Sequence, residues 1–175
     1  MPYTFLIGGA RSGKSSLAVR LASAVDGPVV VVATAEARDD DMAERIRAHR
    51  ASRPDGWETV EAPIGLLDAV DGAGEDACVV LDCLTLWVSN AIEAGASGEE
   101  VDAEARTVTS ILAGRPAPSV VVSNEVGLGI VPANALARTY RDVLGRVNAS
   151  FAAEASRSLF VVAGRGLPLQ EVTPT

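Results

Sequence analysis

A glycine-rich stretch near the amino terminus constrains the fold of this chain more than any other feature. Residues 8–15 read Gly-Gly-Ala-Arg-Ser-Gly-Lys-Ser, after the apolar run 3–7 and before a segment of small and apolar residues, 16–25. The pattern G-x-x-x-x-G-K-S between a strand and a helix is typical of a phosphate-binding loop (P-loop), whose backbone N–H groups surround phosphate oxygens. Lys14 can reach the β- and γ-phosphates, and the Ser15 hydroxyl can ligate Mg²⁺. An ordinary strand–helix turn can also be glycine-rich, but the flanking pattern predicts that the chain binds a nucleoside triphosphate.

The rest of the chain alternates apolar, β-branched runs with helical patterns. The predicted strands are 3–7, 29–34, 78–81, 119–123 and 159–162, with 57–61 as a further short one. The predicted helices are 14–25, 40–53, 84–94, 99–112 and 135–155. Uninterrupted apolar strands separated by helices indicate a mostly parallel sheet with helices on both faces. We therefore expect residues 1–175 to form a single α/β domain of the P-loop NTPase (RecA-like) type, with loops at 71–76, 95–100 and 114–118.

Composition and charge narrow the possible partners. The formal net charge is −8, which argues against a nucleic-acid partner because phosphate backbones are met by basic surfaces. Apolar stretches such as 29–33 are far too short to span a bilayer, and the first strand begins too early to leave room for a signal peptide. Cys78 and Cys83 are the only cysteines, and they indicate neither a disulfide framework nor a zinc site. We therefore expect the protein in a reducing cytoplasm.

A second nucleotide-binding signal is the run Cys-Val-Val-Leu-Asp at 78–82. A hydrophobic strand that ends in Asp commonly accompanies a P-loop, where its carboxylate orients the ligand shell of Mg²⁺. An Asp after an apolar strand is also a common helix N-cap. Beside the P-loop, we interpret Asp82 as the carboxylate that acts on Mg²⁺ together with Ser15, with the N-cap role as the alternative.

The only histidine of the chain, His49, falls near the end of the predicted helix 40–53. Acidic residues occupy the first turn of this helix and arginines its last, as the helix dipole favours. The simpler interpretation is an amphipathic helix with a packed histidine and solvated arginines. The functional interpretation is that Arg50 and Arg53 gather phosphate groups around His49, which can act as a base or as a nucleophile on phosphorus. The sequence leaves both interpretations open.

Several further motifs occur in one order along the chain. They are Val-Ala-Thr-Ala at 32–35, Asp-Asp-Met-Ala-Glu-Arg-Ile at 40–46, His-Arg-x-x-Arg-Pro at 49–54, Trp-Glu-Thr-Val-Glu-Ala-Pro at 57–63, Leu-Asp-Cys-Leu-Thr-Leu-Trp at 81–87, Ser-Asn-Glu-Val-Gly-x-Gly-Ile-Val-Pro at 123–132 and Arg-x-Tyr-Arg-Asp at 138–142. Together with the P-loop, this set resembles the bifunctional adenosylcobinamide kinase / adenosylcobinamide-phosphate guanylyltransferase family of cobalamin biosynthesis. The resemblance covers nearly the whole chain.

The resemblance implies two reactions. A nucleoside triphosphate, ATP or GTP, phosphorylates the aminopropanol hydroxyl of adenosylcobinamide, and GTP then transfers GMP to adenosylcobinamide phosphate, which yields adenosylcobinamide-GDP and pyrophosphate. It also implies a covalent guanylyl-histidine at His49, which acts with Lys14, Mg²⁺ as cofactor, and a homo-oligomer, expected to be a trimer. The implied nucleotide contacts are Gly8, Gly9, Ala10, Arg11, Ser12, Gly13, Lys14, Ser15, Ala33, Thr34, Ala35, Arg50, Ala51, Ser52, Arg53, Glu61 and Asp82.

The chain departs from the family pattern at two places. Ala149 stands where a glutamine is expected, and the tail 163–169 is two residues longer than usual, so we expect the tail to pack differently. Two other functions stay open: a kinase without guanylyl transfer, and a RecA-like motor or switch, against which the small size and acidic charge argue. The loop 123–132 fits either a mobile wall of the corrinoid cleft or a tight turn after its strand.

Overall fold

The computed structural model describes residues 3–171. Within them, seven strands form the centre of the molecule. They are β1 (Thr4–Gly8), β2 (Val29–Ala33), β3 (Glu58–Glu61), β4 (Cys78–Asp82), β5 (Val120–Asn124), β6 (Arg157–Val162) and β7 (Arg165–Leu169). All seven belong to one sheet in the order β3-β2-β4-β5-β1-β6-β7. Neighbouring strands run parallel except β6 and β7, which pair antiparallel. The expected mostly parallel sheet is confirmed.

Helices cover both faces of this sheet. They are α1 (Lys14–Ala22), α2 (Asp40–Ala51), α3 (Leu66–Asp71), α4 (Leu84–Glu93), α5 (Gly98–Gly114) and α6 (Ala135–Glu154). Alternate residues of β2 show the two sides: Val29 and Val31 pack with α1, whereas Val30 and Val32 join the larger core beneath α3 to α6. Each buried valine or leucine side chain of this kind contributes roughly 1.5–3 kcal/mol to folding. Within residues 3–171, no helix combines the length and the apolar character needed to cross a bilayer.

Side-chain caps set the beginning of several helices. Asp39 accepts a hydrogen bond from the backbone N–H of Met42 at 2.7 Å and so begins α2. Ser97 and Glu100 form a reciprocal capping box at α5, which therefore begins one residue before the predicted position. These polar residues satisfy backbone N–H groups that have no partner inside the helix.

Two elements of the structure were not expected from the sequence. Helix α3 has six residues and follows Gly65, a left-handed residue without a side-chain cap, so neither periodicity nor a capping residue indicates it. Strand β7 contains Gly166 and Pro168, residue types that are rare inside sheets but tolerated in an edge strand. Ala163 and Gly164, with φ of 49° and 72°, form the two-residue turn between β6 and β7. The tail thus folds back as a hairpin.

The strand register brings the predicted site residues to one edge of the sheet. Ala33 at the end of β2 lies opposite both Glu61 at the end of β3 and Asp82 at the end of β4. Gly8, where the P-loop begins, ends β1 at the same carboxyl edge. In open parallel sheets, ligands bind at this edge. The fold therefore gathers segments that are far apart in sequence.

Candidate active site

The P-loop leaves β1 at the carboxyl edge and enters α1 at Lys14. Gly13 is the N-cap of α1 and has φ of 101°, a conformation that strongly favours glycine. A Cβ atom on Gly8 would lie 2.1 Å from the carbonyl oxygen of Val161 in β6, so no larger residue fits there. Backbone geometry therefore requires the first and third glycines of the loop.

The β6–β7 hairpin braces the P-loop from the side. Gly164 in the hairpin turn donates its backbone N–H to the carbonyl oxygen of Ser12 at 2.8 Å. A Cβ atom on Gly13 would lie only 3.1 Å from the Cα atom of Gly164. The carboxyl-terminal hairpin, which sequence analysis did not expect, therefore fixes the backbone of a loop close to the other end of the chain.

The buried ammonium group of Lys14 lies inside the P-loop. It donates hydrogen bonds to the carbonyl oxygens of Gly8 at 2.9 Å and Gly9 at 2.7 Å. Burial lowers the pKa of Lys14, and the neighbouring Cys83 and Asp82 oppose this shift. Since phosphate oxygens are stronger acceptors than carbonyls, a triphosphate can take over these hydrogen bonds.

His49 faces the end of β4 from α2. Its Nδ1 atom lies 3.6 Å from Oδ2 of Asp82, and a terminal guanidinium nitrogen of Arg53 lies 4.0 Å from the same oxygen. The Arg53 side chain is only 11% exposed and also donates to the hydroxyl of Thr59 at 3.3 Å, whereas the His49 side chain is 45% exposed. One carboxylate thus holds an imidazole and a guanidinium together.

The charged side chains around His49 favour one tautomer of its neutral imidazole ring. The interaction with Asp82 raises the pKa of His49, while burial and the positive charges of Arg53 and Arg45 lower it. Burial also lowers the pKa of Arg53, and Asp82 opposes that shift. Because Asp82 faces Nδ1, this nitrogen keeps its proton, and Nε2 carries the free electron pair when the ring is neutral.

A cavity of about 470 Å³ lies beside the end of α2. Arg50, Arg53 and Trp57 are among its lining residues. Arg50 also pairs with Glu61 at the end of β3. The cavity is in the size range of small-molecule sites, and its guanidinium groups suit an anionic ligand with a planar group beside Trp57.

Two simpler interpretations of the sequence are wrong. The N-cap of α4 is Cys83, without a side-chain cap, so Asp82 does not serve that role. None of the twelve residues of α2 is buried, so His49 is not packed in a core. Both residues are instead directed at each other.

Thr34 differs from the other predicted nucleotide contacts. Its hydroxyl accepts from the Cys83 N–H at 2.9 Å and donates to the Cys83 carbonyl at 2.7 Å, and its own N–H donates to the Asp82 carbonyl at 3.1 Å. A nucleotide contact from Thr34 stays a prediction, and in this arrangement it would be a van der Waals contact. The other predicted contacts lie at the carboxyl edge of the sheet, on α2 or in the loop that follows α2. They are the P-loop, Ala33, Ala35, Glu61, Asp82 and the segment 50–53.

Asn90 is a residue that sequence analysis missed. It is buried in α4, and its Nδ2 atom donates to the carbonyl oxygens of Thr34 at 2.9 Å and Pro63 at 3.0 Å. Its Oδ1 atom accepts from Arg38 at 2.9 Å. The signal was an asparagine inside the apolar predicted helix 84–94, because a buried amide must find partners there.

The donor atoms near the P-loop fit Mg²⁺. The Ser15 hydroxyl follows Lys14 in the first turn of α1, and the Asp82 carboxylate is partly exposed at the end of β4. Mg²⁺ prefers oxygen ligands and is commonly bound by one or two side chains together with phosphate oxygens and water. Ser15 and Asp82 therefore stay the predicted ligands.

Solved structures resemble this fold at low sequence identity. A prototypical ATPase from the type III secretion system of pathogenic bacteria gives a TM-score of 0.59 at 10% identity, over 91% of this chain and 50% of that one. The P4 protein from bacteriophage phi6, solved with ADP, gives 0.52 at 15% identity, over 94% and 52%. The chain thus spans about half the length of these structures, which show the fold alone. The sheet and the P-loop together define an α/β protein of the P-loop NTPase class.

Sequence relatives define the family. Residues 4–169 match the family described as cobinamide kinase / cobinamide phosphate guanyltransferase. The chain is 40% identical over 166 residues to the bifunctional adenosylcobalamin biosynthesis protein CobP of Pseudomonas aeruginosa, covering 94% of this chain and 95% of that protein. It is 39% identical to CobU of Salmonella typhimurium, covering 93% and 97%. The chain belongs to the cobinamide kinase / cobinamide phosphate guanyltransferase family, which confirms the resemblance seen in the motifs and excludes a motor or switch as its class.

Proposed function

We propose that the chain phosphorylates the aminopropanol hydroxyl of adenosylcobinamide and then transfers GMP from GTP to adenosylcobinamide phosphate through a guanylyl group on His49. Family membership supports the pair of reactions. One structural observation supports the covalent step most directly: Oδ2 of Asp82 lies 3.6 Å from Nδ1 of His49. The proposed nucleophile therefore faces a carboxylate at the same edge of the sheet at which the P-loop begins.

Guanylyl transfer then proceeds by two displacements. In the first, Nε2 of neutral His49 forms a bond to the α-phosphorus of GTP, and the bond from that phosphorus to the bridging oxygen breaks, so that pyrophosphate leaves. Asp82 holds the Nδ1 proton and stabilises the positive charge that develops on the ring. In the second, a phosphate oxygen of adenosylcobinamide phosphate attacks the same phosphorus, and the N–P electron pair returns to Nε2.

Positive charge around His49 stabilises the phosphorus while it is five-coordinate. Arg53 lies 4.0 Å from Asp82 and is mostly withdrawn from water, so its charge is weakly screened at the site. Arg50 lines the cavity beside the end of α2. Lys14 is placed to neutralise the leaving pyrophosphate, and Mg²⁺ held by Ser15 and Asp82 would add charge neutralisation when bound.

The kinase reaction uses the same P-loop without a bond to His49. Here the acceptor hydroxyl attacks the γ-phosphorus, and the nucleoside diphosphate leaves. Lys14 and the P-loop backbone hold the phosphates in both reactions, whereas only guanylyl transfer needs α2 at the α-phosphorus. This division predicts that the two activities separate by mutation.

The remaining partners follow from the family and from composition. We propose ATP or GTP as the phosphate donor, the corrinoid as acceptor, and assembly into a homo-oligomer, expected to be a trimer. We also propose a reducing cytoplasmic setting, since Cys78 and Cys83 are free thiols.

Labelling with radioactive GTP tests the covalent step. The protein is incubated with Mg²⁺ and either α-³²P-GTP or γ-³²P-GTP and separated on denaturing gels. We expect label only from the α-position, labile to acid and stable to base, and absent from His49→Ala. Arg47→Ala is the matched control, because Arg47 is exposed on the same helix and takes part in no ion pair of residues 3–171. Intact GTP binding without α-label would leave a kinase that lacks guanylyl transfer.

A further inference from the structure

Helix α2 carries His49 without support from the hydrophobic core. None of its residues is buried, and its cap, Asp39, is a surface residue. Polar contacts before and after the helix therefore decide where the imidazole stands. After the helix, Arg53 reaches Asp82 and Thr59. Before the helix, the contacts converge on Asn90 of α4.

The amide of Asn90 ties together the two chain segments that enclose α2. Its Nδ2 atom donates to the carbonyl oxygen of Thr34, where the chain leaves β2, and to that of Pro63, where the chain has returned through β3. His49 lies near the middle of the segment 34–63. The pairing of β2 with β3 already brings the two ends of this segment together, and the Asn90 side chain fixes both ends to α4.

The same amide also holds the residue that leads into α2. Its Oδ1 atom accepts from Arg38 at 2.9 Å, and Arg38 is itself held by Glu36 and by Glu93 of α4. Arg38 directly precedes the N-cap of α2. Asn90 therefore acts on the beginning of the helix as well as on the segment that contains it.

The tie reaches the partner of His49 as well. Thr34 is bonded through its hydroxyl to the backbone of Cys83 and through its N–H to the Asp82 carbonyl oxygen. Hydrogen bonds therefore join the anchored beginning of the segment 34–63 to the residue whose carboxylate faces His49. A shift of Thr34 relative to Asn90 changes the distance between imidazole and carboxylate.

We propose that Asn90 is a positioning residue for guanylyl transfer: its amide fixes the segment 34–63 and thereby sets the position of His49 relative to Asp82 and the P-loop. This inference rests on the proposed function, because it concerns the guanylylation of His49. The kinase reaction forms no bond to α2, so it depends much less on this tie.

Asn90→Asp tests the inference with little change in size, because it keeps the acceptor for Arg38 and removes both donors. We measure single-turnover labelling by α-³²P-GTP, the dissociation constant of GTP, and phosphorylation of adenosylcobinamide. Labelling at saturating GTP should slow by about 10- to 100-fold, because a displacement of about 1 Å can cost that much. The GTP dissociation constant and the phosphorylation rate should stay within about threefold of wild type.

Two further variants keep the test decisive. Arg38→Ala alters a half-exposed side chain, so it should fold and slow labelling by several-fold in the same selective way. Asn148→Asp is the control, because Asn148 is also a buried asparagine, with Nδ2 donating to the Asn124 carbonyl and Oδ1 accepting from Ser123, but its tie joins β5 to α6. It should lower both activities in equal proportion.

The outcomes separate the inference from the proposed function. Wild-type labelling rates in both the Asn90 and Arg38 variants, or losses in both activities in the same proportion as in Asn148→Asp, would overturn the positioning role. Absence of label from the wild-type protein would overturn the proposed function and this inference with it.

Discussion

The P-loop and helix α2 lie at the same edge of the sheet but are held in opposite ways. The P-loop is fixed by packing: Gly8 lies against β6, Gly164 bonds to Ser12, and Lys14 is buried. Helix α2 has no buried residue and depends on polar contacts at its ends. The P-loop, which is predicted to bind phosphates, is thus held by close packing, whereas α2, which carries the proposed nucleophile, is held by polar contacts.

This difference suits an enzyme that acts on the γ-phosphorus of a nucleoside triphosphate in one reaction and on the α-phosphorus of GTP in the other. A rigid P-loop can serve the γ-phosphate in one reaction and the whole triphosphate in the other. In the proposed mechanism only guanylyl transfer needs an imidazole at the α-phosphorus, so only that reaction should depend on the position of α2. The comparison therefore predicts which substitutions affect both reactions and which affect one.

The largest effect is expected at the P-loop. Lys14→Ala should slow both phosphorylation of adenosylcobinamide and labelling from α-³²P-GTP by about 10²- to 10³-fold, because one ammonium serves both reactions. Arg20→Ala, at the exposed end of α1, is the control and should leave both rates unchanged. Loss of only one reaction would show that the P-loop does not serve both.

The second effect concerns stability and compares α4 with α2. Leu84 is fully buried, so Leu84→Ala should lower the free energy of unfolding by about 2–5 kcal/mol. Ile46 is only partly buried on α2, and Ile46→Ala should cost less than about 1 kcal/mol. Urea unfolding measures both. Equal losses would mean that α2 packs as firmly as α4 does.

A third and smaller effect is expected at the hairpin that braces the P-loop. Gly164 and Gly95 both have positive φ, 72° and 98°, with open space where a Cβ would stand. Alanine at either position should cost about 1–2 kcal/mol of stability. Only Gly164→Ala should also weaken GTP binding, measured by calorimetry, because only Gly164 bonds to the P-loop. Equal GTP affinity in the two variants would show that the brace is dispensable.

The smallest effect is a response of α2 to acid. The hydrogen bond from Arg38, with help from Ser89, lowers the pKa of Glu93 below its ordinary 4.5. A lowered folded-state pKa stabilises the native contact above the unfolded pKa and loses it as the pH falls through the folded one. Amide exchange in α2, corrected for intrinsic rates and compared with α4, should therefore speed up below about pH 4.5. In Glu93→Gln this acid response should shrink.

Sequence patterns predicted the framework well because the framework repeats one physical rule. Strands β1, β2, β4 and β5 are apolar runs buried almost throughout, and β6 is apolar over 159–162 with Leu159 and Val161 buried. Each of the five was expected at nearly its observed place. The P-loop was predicted because its spacing is imposed by phosphate geometry. Both signals are local, so one chain segment suffices to read them.

Contacts between distant segments could not be predicted in the same way. The approach of His49 to Asp82 depends on how the segment 34–63 is anchored, and the anchor, Asn90, lies in another helix. Strand β7 was hidden because Gly166 and Pro168 argue against a strand until its edge position is known. Family motifs indicated the candidate site residues. The local signal for Asn90, an asparagine inside an apolar helix, did not show which distant carbonyl groups its amide would contact.

The position of β1 in the sheet has a consequence for biosynthesis. This strand is made first, yet its two neighbours, β5 and β6, are made only after β2, β3 and β4. Since the hairpin turn that braces the P-loop follows β6, a growing chain on the ribosome cannot complete its nucleotide site until almost all of it has emerged. Contacts of such long sequence separation slow folding. We expect a nascent chain truncated before β6 to bind no nucleotide, so the newly made enzyme cannot engage GTP prematurely.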